Sequence, residues 1–319
     1  MRPCIAVRSN LCRNGHGRSD VAAHLFSPIR EDLAPTWDRI VAERNISSRS
    51  SHSTLHRALG GLRRSLVRQL PGVPLHAAAC RLPSGQTLLA PGSSRSGKST
   101  LALDLTLGRS ASPIADDIVW VTAGVASGIG APVAVRDGSP WWDQCRVLWY
   151  ADSGDRLLVR ADDLGGPACS YFGTISAVAF PAFDLNEPFC RLIEPAEAFC
   201  RLLESSFRPA ADAELLEIAQ LVAGVPSAAL KYRNQAESLE MCDYLLDTRI
   251  RKGSPPKLLA SGSLAEDGIA PTVSGVRFGE DAVLIHHFSG QVAHIRNFRG
   301  RDSLPSSVVA HLSSHGFVV

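Results

Sequence analysis

The chain has 319 residues, of which 45% are apolar and 20% are charged, and its formal net charge is +2. These values are typical of a globular protein with room for two domains. They exclude a general nucleic-acid binder, because no block of Lys and Arg stands out. We also expect no membrane partner, since no stretch approaches the roughly 18 apolar residues of a bilayer span. The eight cysteines are scattered, which favours reduced thiols and a cytoplasmic location.

The first 70 residues predict a small α+β region. Residues 5–7, Ile-Ala-Val, predict a first strand. From Ser53 onward, leucines recur at three- and four-residue steps and predict an amphipathic helix: Leu55, Leu59, Leu62, Leu66 and Leu70. We interpret the arginines of this helix as a solvated polar face: Arg57, Arg63, Arg64 and Arg68.

A nine-residue segment carries the strongest chemical signal. It matches the pattern G-x-x-x-x-G-K-[ST], in which backbone N–H groups wrap the phosphates of a nucleoside triphosphate. The lysine of such a loop reaches the β- and γ-phosphates, and the next hydroxyl completes the shell of a Mg²⁺ ion. We therefore predict a nucleotide site on these residues: Gly92, Ser93, Ser94, Arg95, Ser96, Gly97, Lys98, Ser99 and Thr100.

The segments on either side predict how the loop is held. Residues 74–81 and 86–90 flank a Leu-Pro-Ser-Gly turn and predict a β-hairpin whose second strand runs into the loop. A helix is expected from Ser99 to about Gly108. Neighbouring strands in common phosphate-loop folds are parallel and joined by helices. An antiparallel strand leading into the loop therefore predicts a less common architecture.

Asp116 and Asp117 form an acidic pair in the middle of a predicted strand over 113–121. Successive side chains on a strand point to opposite faces, so one carboxylate can face a metal while its neighbour faces an incoming hydroxyl. Metal anchorage and a proton acceptor are what phosphoryl transfer to an alcohol requires. The pair therefore predicts a kinase.

These motifs resemble one known family. Their order resembles the catalytic core of HPr kinase/phosphorylase: the strand Leu75-His76-Ala77-Ala78, the hairpin, the loop, the helix and then Ala115-Asp116-Asp117. More closely, they resemble the HPr-kinase-like proteins of peptide-modification (RiPP) clusters, such as lasso-peptide kinases. The resemblance covers roughly residues 70–250. It implies a phosphoenolpyruvate-carboxykinase-like fold, an α/β phosphate-loop core of mixed sheet with helices.

The resemblance also implies a role for each site residue. ATP with Mg²⁺ would bind at the loop, where Lys98 holds the phosphates. Ser99 and Asp117 would bind or support the metal. Asp116 would act as the base toward a serine hydroxyl of a precursor peptide or protein, and His76 would belong to the catalytic set.

Other functions remain open at this point. A shikimate-type small-molecule kinase would differ mainly in its acceptor. A nucleotide-dependent switch or assembly ATPase would usually need an arginine finger, which Arg95 inside the loop cannot easily supply. HPr kinases proper have Glu where this chain has Thr100, so the resemblance does not extend to HPr as acceptor. The sequence leaves the oligomeric state open, including a homo-oligomer.

The chain divides into three predicted parts: an N-terminal α+β region at 1–70, a kinase core at 71–250, and a linker with a small C-terminal unit at 251–319. In the C-terminal unit a hairpin is expected around Phe288-Ser289-Gly290, and a short helix from about Ser303. A hairpin with a helix could be extra packing, or it could recognise a peptide by strand addition. Two helices of the core are expected over about 194–206 and 211–223.

Overall fold

The computed structural model describes residues 31–43, 52–148, 156–184, 186–250, 254–259, 264, 269–270, 272–287, 289, 291–299 and 304–318. The helices are α1 (Ala34–Glu43), α2 (His52–Leu66), α3 (Lys98–Arg109), α4 (Trp142–Leu148), α5 (Pro195–Glu204), α6 (Asp212–Gly224), α7 (Gln235–Asp247) and α8 (Ser306–Ser314). The strands are β1 (Val73–Leu75), β2 (Ala77–Arg81), β3 (Thr87–Pro91), β4 (Ser112–Ala115), β5 (Val119–Thr122), β6 (Val125–Ser127), β7 (Val133–Arg136), β8 (Arg156–Val159), β9 (Phe172–Phe183), β10 (Phe189–Leu192), β11 (Ser227–Tyr232), β12 (Lys257–Leu259), β13 (Val273–Phe278), β14 (Asp281–His286) and β15 (Val292–Ile295). The strand predicted at 5–7 lies outside the described residues.

Nine of the described strands form one mixed sheet. Its main order is β1-β5-β6-β9-β3-β2-β4, and β11 joins it by pairing parallel with β9. β3 also pairs parallel with β9, whereas β2 pairs antiparallel with both β3 and β4. The α/β class with a mixed sheet is thereby confirmed, as is the antiparallel strand that leads into the loop. The phosphoenolpyruvate-carboxykinase-like assignment stays a prediction.

Most of the local predictions are confirmed. β2 and β3 form the expected hairpin, with Ala77 opposite Pro91 and Arg81 opposite Thr87. Its first strand is shorter than the predicted 74–81, because the chain bends at His76, between β1 and β2, and β1 pairs with β5 instead. The helix after the loop is α3, the two predicted core helices are α5 and α6, and β14 and β15 form the C-terminal hairpin. α8 begins at Ser306, a few residues after the expected start.

The predicted strand over 113–121 is wrong at its centre. The segment forms two strands, β4 and β5, and the acidic pair lies in the break between them. β4 pairs with β2, whereas β5 pairs with β1 and β6, so the chain moves from one part of the sheet to another at this point. Asp117 has a φ of 86°, a left-handed conformation that a strand does not permit and that residues other than glycine rarely adopt.

Helices cover both faces of the sheet because each face is lined by apolar side chains. Leucines of α3 and α7 pack on one face, and α5 and α6 pack on the other. α2 buries Leu55, Leu59, Leu62 and Leu66 against a cluster that includes Trp120 of β5. No helix within the described residues is long and apolar enough to cross a membrane.

The C-terminal strands form a second sheet in the order β12-β13-β14-β15. Val276, Val283 and Ile285 of this sheet belong to the same buried cluster as the apolar side chains of α5 and α6. The Ser274 hydroxyl also donates to Asp212 at the start of α6, at 2.6 Å. The C-terminal unit is therefore packed on the core over an apolar face, while the division at residue 251 stays a prediction.

One carboxyl group is buried inside α3, the helix that follows the phosphate loop. Asp104 is 2% exposed. It accepts hydrogen bonds from the indole N–H of Trp141 at 2.9 Å and from the hydroxyl of Ser238 at 2.7 Å. Burial raises the pKa of Asp104 to about 6, against the opposing effect of these two hydrogen bonds. The group therefore links α3 to α7 and to the segment before α4.

We expect Asp104 to make the stability of the chain depend on pH. Its folded-state pKa of about 6 lies above the ordinary value of 3.8, so its contribution to folding is complete below pH 3.8 and is lost as the pH rises through 6. The free energy of unfolding, measured in urea, should fall over this window more in the wild type than in Asp104→Asn. The exposed Asp143→Asn is the control and should follow the wild type; identical profiles for all three chains would contradict the expectation.

Candidate active site

The phosphate loop connects β3 to α3 and is fixed by backbone hydrogen bonds. The Gly92 N–H donates to the carbonyl of His76 at 3.1 Å, and the Phe183 N–H donates to the carbonyl of Ser96 at 3.1 Å. The Tyr232 hydroxyl donates to the carbonyl of Gly97 at 2.9 Å. The ends of β9 and β11 therefore hold the loop in place.

Gly97 is required at the start of α3 for two reasons. Its φ is 99°, which favours glycine. A Cβ atom at this position would also lie only 2.8 Å from the Tyr232 hydroxyl. The chain can therefore close the loop tightly onto β11 only with glycine here, and the free N–H groups at the helix N-terminus then face the loop.

Lys98 and Ser96 place polar groups inside the loop. Lys98 is 5% exposed and its ammonium group donates to the carbonyl of Ser93 at 2.6 Å. Burial lowers the pKa of Lys98, although the charges of Asp116 and Asp117 oppose this shift. The Ser96 hydroxyl is buried and has no hydrogen-bond partner among the residues that the structure describes. A buried donor without a partner is costly unless a ligand satisfies it, so the loop is suited to an oxyanion.

Asp116 lies directly against the first residues of α3. Its side chain accepts a hydrogen bond from the Ser99 hydroxyl at 2.8 Å and another from the Ala134 N–H at 3.0 Å. The residue is 3% exposed. Burial and the neighbouring charge of Asp117 raise the pKa of Asp116, against the two hydrogen bonds and the charge of Arg63. Asp116 is therefore the carboxylate that lies against Ser99 at the start of α3.

Asp117 points in a different direction and remains open to solvent, with 39% of its side chain exposed. One carboxylate oxygen is 2.7 Å from Arg63 Nη1 and the other is 3.1 Å from His76 Nε2. Burial alone would raise the pKa of Asp117, but the His76 hydrogen bond and the Arg63 charge together hold it well below its usual range. These two contacts also fix the left-handed backbone at Asp117.

Arg63 is a site residue that the sequence analysis misassigned. It was interpreted as part of a solvated face, yet it is 3% exposed and donates to the Asp116 carbonyl at 2.6 Å as well as to Asp117. The signal was present in the sequence, because Arg63 is four residues after Leu59 and three before Leu66. Those spacings place it on the apolar face of α2. The prediction of a solvated Arg63 is therefore wrong.

A cavity of about 660 Å³ opens in front of the loop. It is lined by the predicted site residues His76, Ser94, Arg95, Gly97, Lys98, Ser99, Thr100, Asp116 and Asp117. Its other walls carry a second set of positive charges, which the sequence did not point to: Arg63, Arg64, Arg136 and Arg156. Arg136 donates to the Ser94 hydroxyl at 3.1 Å. The cavity therefore combines a cationic wall, suited to phosphates, with two carboxylates.

The donor atoms around Ser99 fit a magnesium ion in kind. Mg²⁺ prefers oxygen ligands, one or two of them from carboxylates, together with phosphate oxygens. The Ser99 hydroxyl and an Asp116 carboxylate oxygen lie 2.8 Å apart at the mouth of the loop. The described residues contain no cluster of three or more His, Cys, Asp or Glu that could hold a metal by themselves.

Comparisons with known proteins show little similarity to this chain. No protein-family model matches the chain, and no curated protein matches it. Among solved structures, the HPr(Ser) kinase/phosphatase from Coxiella burnetii is similar, with 13% sequence identity, a TM-score of 0.27, and coverage of 53% of this chain and 90% of that one. A similarity at that TM-score supports no conclusion about activity. Any function must therefore be argued from the site.

Proposed function

We propose that this chain is an ATP- and Mg²⁺-dependent kinase that phosphorylates a serine hydroxyl of a peptide or protein. A pair of carboxylates beside the phosphate loop supports this proposal most strongly. Asp116 accepts a hydrogen bond from Ser99, and these two oxygen groups together suit a metal. Asp117 faces the cavity between Arg63 and His76. Phosphoryl transfer needs both a metal-supporting carboxylate and a group that orients the attacking hydroxyl.

The loop residues would bind and orient the triphosphate. Lys98 and the N-terminus of α3 would contact the β- and γ-phosphates. Arg136, already within hydrogen-bond distance of Ser94, would add positive charge at the same end of the cavity. Mg²⁺, held by Ser99 with Asp116 in support, would neutralise charge on the phosphates when bound.

The contacts favour the reverse of the roles that the family resemblance implies for the two carboxylates. Both Asp116 oxygens have hydrogen-bond donors on the protein, and the group is buried. Asp117 also lines the cavity and has donors at both oxygens, but 39% of its side chain is exposed, so it is the more accessible of the two carboxylates. We therefore assign metal support to Asp116 and acceptance of the hydroxyl proton to Asp117, with Arg63 and His76 as positioning residues.

Phosphoryl transfer at this site would form one bond, break one bond and release one proton. The acceptor oxygen forms a bond to the γ-phosphorus, and the bond between that phosphorus and the bridging β–γ oxygen breaks, which releases ADP. The hydroxyl proton passes to Asp117 and from there to solvent. In a loose transition state the base mainly orients the hydroxyl, so a carboxylate with a lowered pKa can serve.

The direct test uses ATP labelled at the γ-position, Mg²⁺, an arrayed library of serine-containing peptides and free L-serine. We expect label in peptides and little release of free phosphate, and no labelling by Lys98→Met. Labelling of L-serine alone would favour a small-molecule kinase. Release of phosphate without a labelled acceptor would favour a switch ATPase, for which Arg136 could supply the arginine that Arg95 cannot. Either result would overturn the peptide kinase.

A further inference from the structure

A second cavity, of about 980 Å³, touches the same phosphate loop. It is lined by Gly92, Ser93 and Ser96 of the loop, whereas Ser94 and Gly97 line the first cavity. Two residues line both cavities: His76 and Phe207. Their rings lie 5.6 Å apart. The His76–Asp117 pair therefore lies where the two cavities meet.

The second cavity continues toward the C-terminal unit. Glu204 and His294 line both this cavity and a third one of about 530 Å³. The third cavity lies between β15 and α8, where Val292 and His311 contribute to its walls. We call the second and third cavities together the acceptor groove. The groove extends from the phosphate loop, along α5, to the edge of the C-terminal sheet.

Two edge strands border the acceptor groove. Among the described strands, β10 pairs only with β11, and β15 pairs only with β14. Phe189 and Arg191 of β10 and His294 of β15 line the groove. An unpaired strand edge offers N–H and C=O groups that an extended peptide can pair with. The groove therefore has backbone partners for a peptide at two places along its length.

The side chains of the groove are of mixed character. Phe189 and Phe207 are 47% and 45% exposed, an unusual exposure for large apolar side chains. Glu197 is held between Arg191, at 2.9 Å, and Arg201, at 2.7 Å. Exposed apolar rings beside paired charges suit a peptide. The groove is lined by two arginines and two glutamates and so lacks the net positive charge that a nucleic-acid backbone requires.

The size of the groove separates a peptide from a small alcohol. Pockets for small ligands have volumes of about 300 to 1,000 Å³ and bury most of the ligand. The second cavity alone is about 980 Å³, at the upper end of that range, and it shares Glu204 and His294 with the third. A small alcohol would leave most of this space unfilled, whereas an extended chain could follow the groove and place one side chain at His76.

We propose that the acceptor groove binds the peptide segment that carries the acceptor serine, with Phe189 and Phe207 contacting its apolar side chains and the C-terminal unit binding its far end. The inference rests on the proposed kinase function. It assigns to β15 and α8 a part in substrate recognition.

The test compares two exposed apolar residues of the same strand. Phe189 lines the groove, whereas Leu192, which is 44% exposed, does not. With the best peptide of the library, Phe189→Ser should lower kcat/KM for the peptide at least about 10-fold, as expected for loss of an aromatic anchor. Leu192→Ser should leave it unchanged, and KM for ATP should be the same in both. His311→Ala should lower kcat/KM for the peptide further when combined with Phe189→Ser.

A second measurement does not depend on how the variants fold. The same peptide carrying a benzophenone group on either side of its serine should crosslink, in the wild-type protein, to 189–191 with one placement and to 291–295 with the other. If peptides are labelled but Phe189→Ser and Leu192→Ser have equal kcat/KM, the groove proposal is overturned and the kinase proposal stands. Crosslinks at other positions would have the same meaning. Labelling of L-serine but of no peptide would overturn the groove. Absence of any labelled acceptor would overturn both.

Discussion

Asp117→Asn is expected to lower the rate of phosphoryl transfer at least about 100-fold, the usual scale for loss of a general base, while ATP affinity stays nearly unchanged. The amide keeps the size of the carboxylate but loses the negative charge that orients the hydroxyl and accepts its proton. Asp116→Asn should behave differently, because the carboxylate beside Ser99 would support the metal. We expect it to weaken Mg²⁺-dependent ATP binding about 10- to 100-fold, as loss of a metal-supporting group does elsewhere.

The measurements are single-turnover transfer with labelled ATP, and titration of each variant with ATP in the presence and absence of Mg²⁺. The paired design separates the two assignments of the carboxylates. In the opposite outcome, Asp116→Asn binds ATP normally and loses phosphoryl transfer, while Asp117→Asn transfers normally. That result would restore the roles implied by the family resemblance. Normal transfer in both variants would contradict the proposed site.

Arg63→Met is expected to lower the free energy of unfolding by about 3 kcal/mol, the low end of the cost of breaking a buried ion pair by removing one partner. Arg63 is 3% exposed, and its loss leaves the Asp116 carbonyl and one Asp117 oxygen without their donor. The cost of breaking the ion pair is at the low end of its range because Asp117 is partly exposed and can be hydrated by water. Transfer should fall as well, since Arg63 positions Asp117.

Urea unfolding at neutral pH measures the first effect, and single-turnover transfer at a temperature where the variant is folded measures the second. Arg57→Met on the same helix is the matched control, because Arg57 is exposed and the hydrogen bond of its side chain within the described part of the chain goes to Thr54 on its own helix. We expect Arg57→Met to change stability by no more than about 0.5 kcal/mol. Similar unfolding curves for the two variants would show that Arg63 does not hold the carboxylates in place.

Arg63 also connects the N-terminal helix to the site. α2 packs on β5 through its leucines, and this packing brings the guanidinium group to the acidic pair. The predicted boundary at residue 70 would separate Arg63 from the carboxylates that it contacts. A truncated core that begins at residue 71 would therefore lack part of its active site, even if it folded.

The family resemblance and the geometry contribute differently to the functional proposal. The resemblance depends on residues between about 75 and 121, and it supplied the expectation of a serine acceptor. The structure adds the contacts of Asp116 and Asp117, the cationic wall and the acceptor groove. None of these additions depends on the solved kinase/phosphatase structure.

The sequence by itself determined the features that depend on neighbours along the chain. The phosphate loop, the hairpin that leads into it, and helices α3, α5 and α6 follow from glycine positions, turn residues and apolar periodicity, all of which act over a few residues. The break between β4 and β5 could not be predicted in this way. The apolar residues on both sides of Asp116 and Asp117 favour a continuous strand, and the break forms because β4 and β5 pair with different partners.

Only the tertiary structure decided what surrounds the loop. Arg63, Arg136 and the acidic pair are far apart in sequence, and their contacts depend on how α2 packs on β5 and β8 and how β7 packs on α3. The acceptor groove likewise requires α5, β10 and β15 to meet beside the loop. Burial and charge pairing between distant segments depend on the packed fold, whereas a short motif specifies only its own backbone. The loop and the acidic pair could therefore be identified from short motifs, but the arginines that contact them could not.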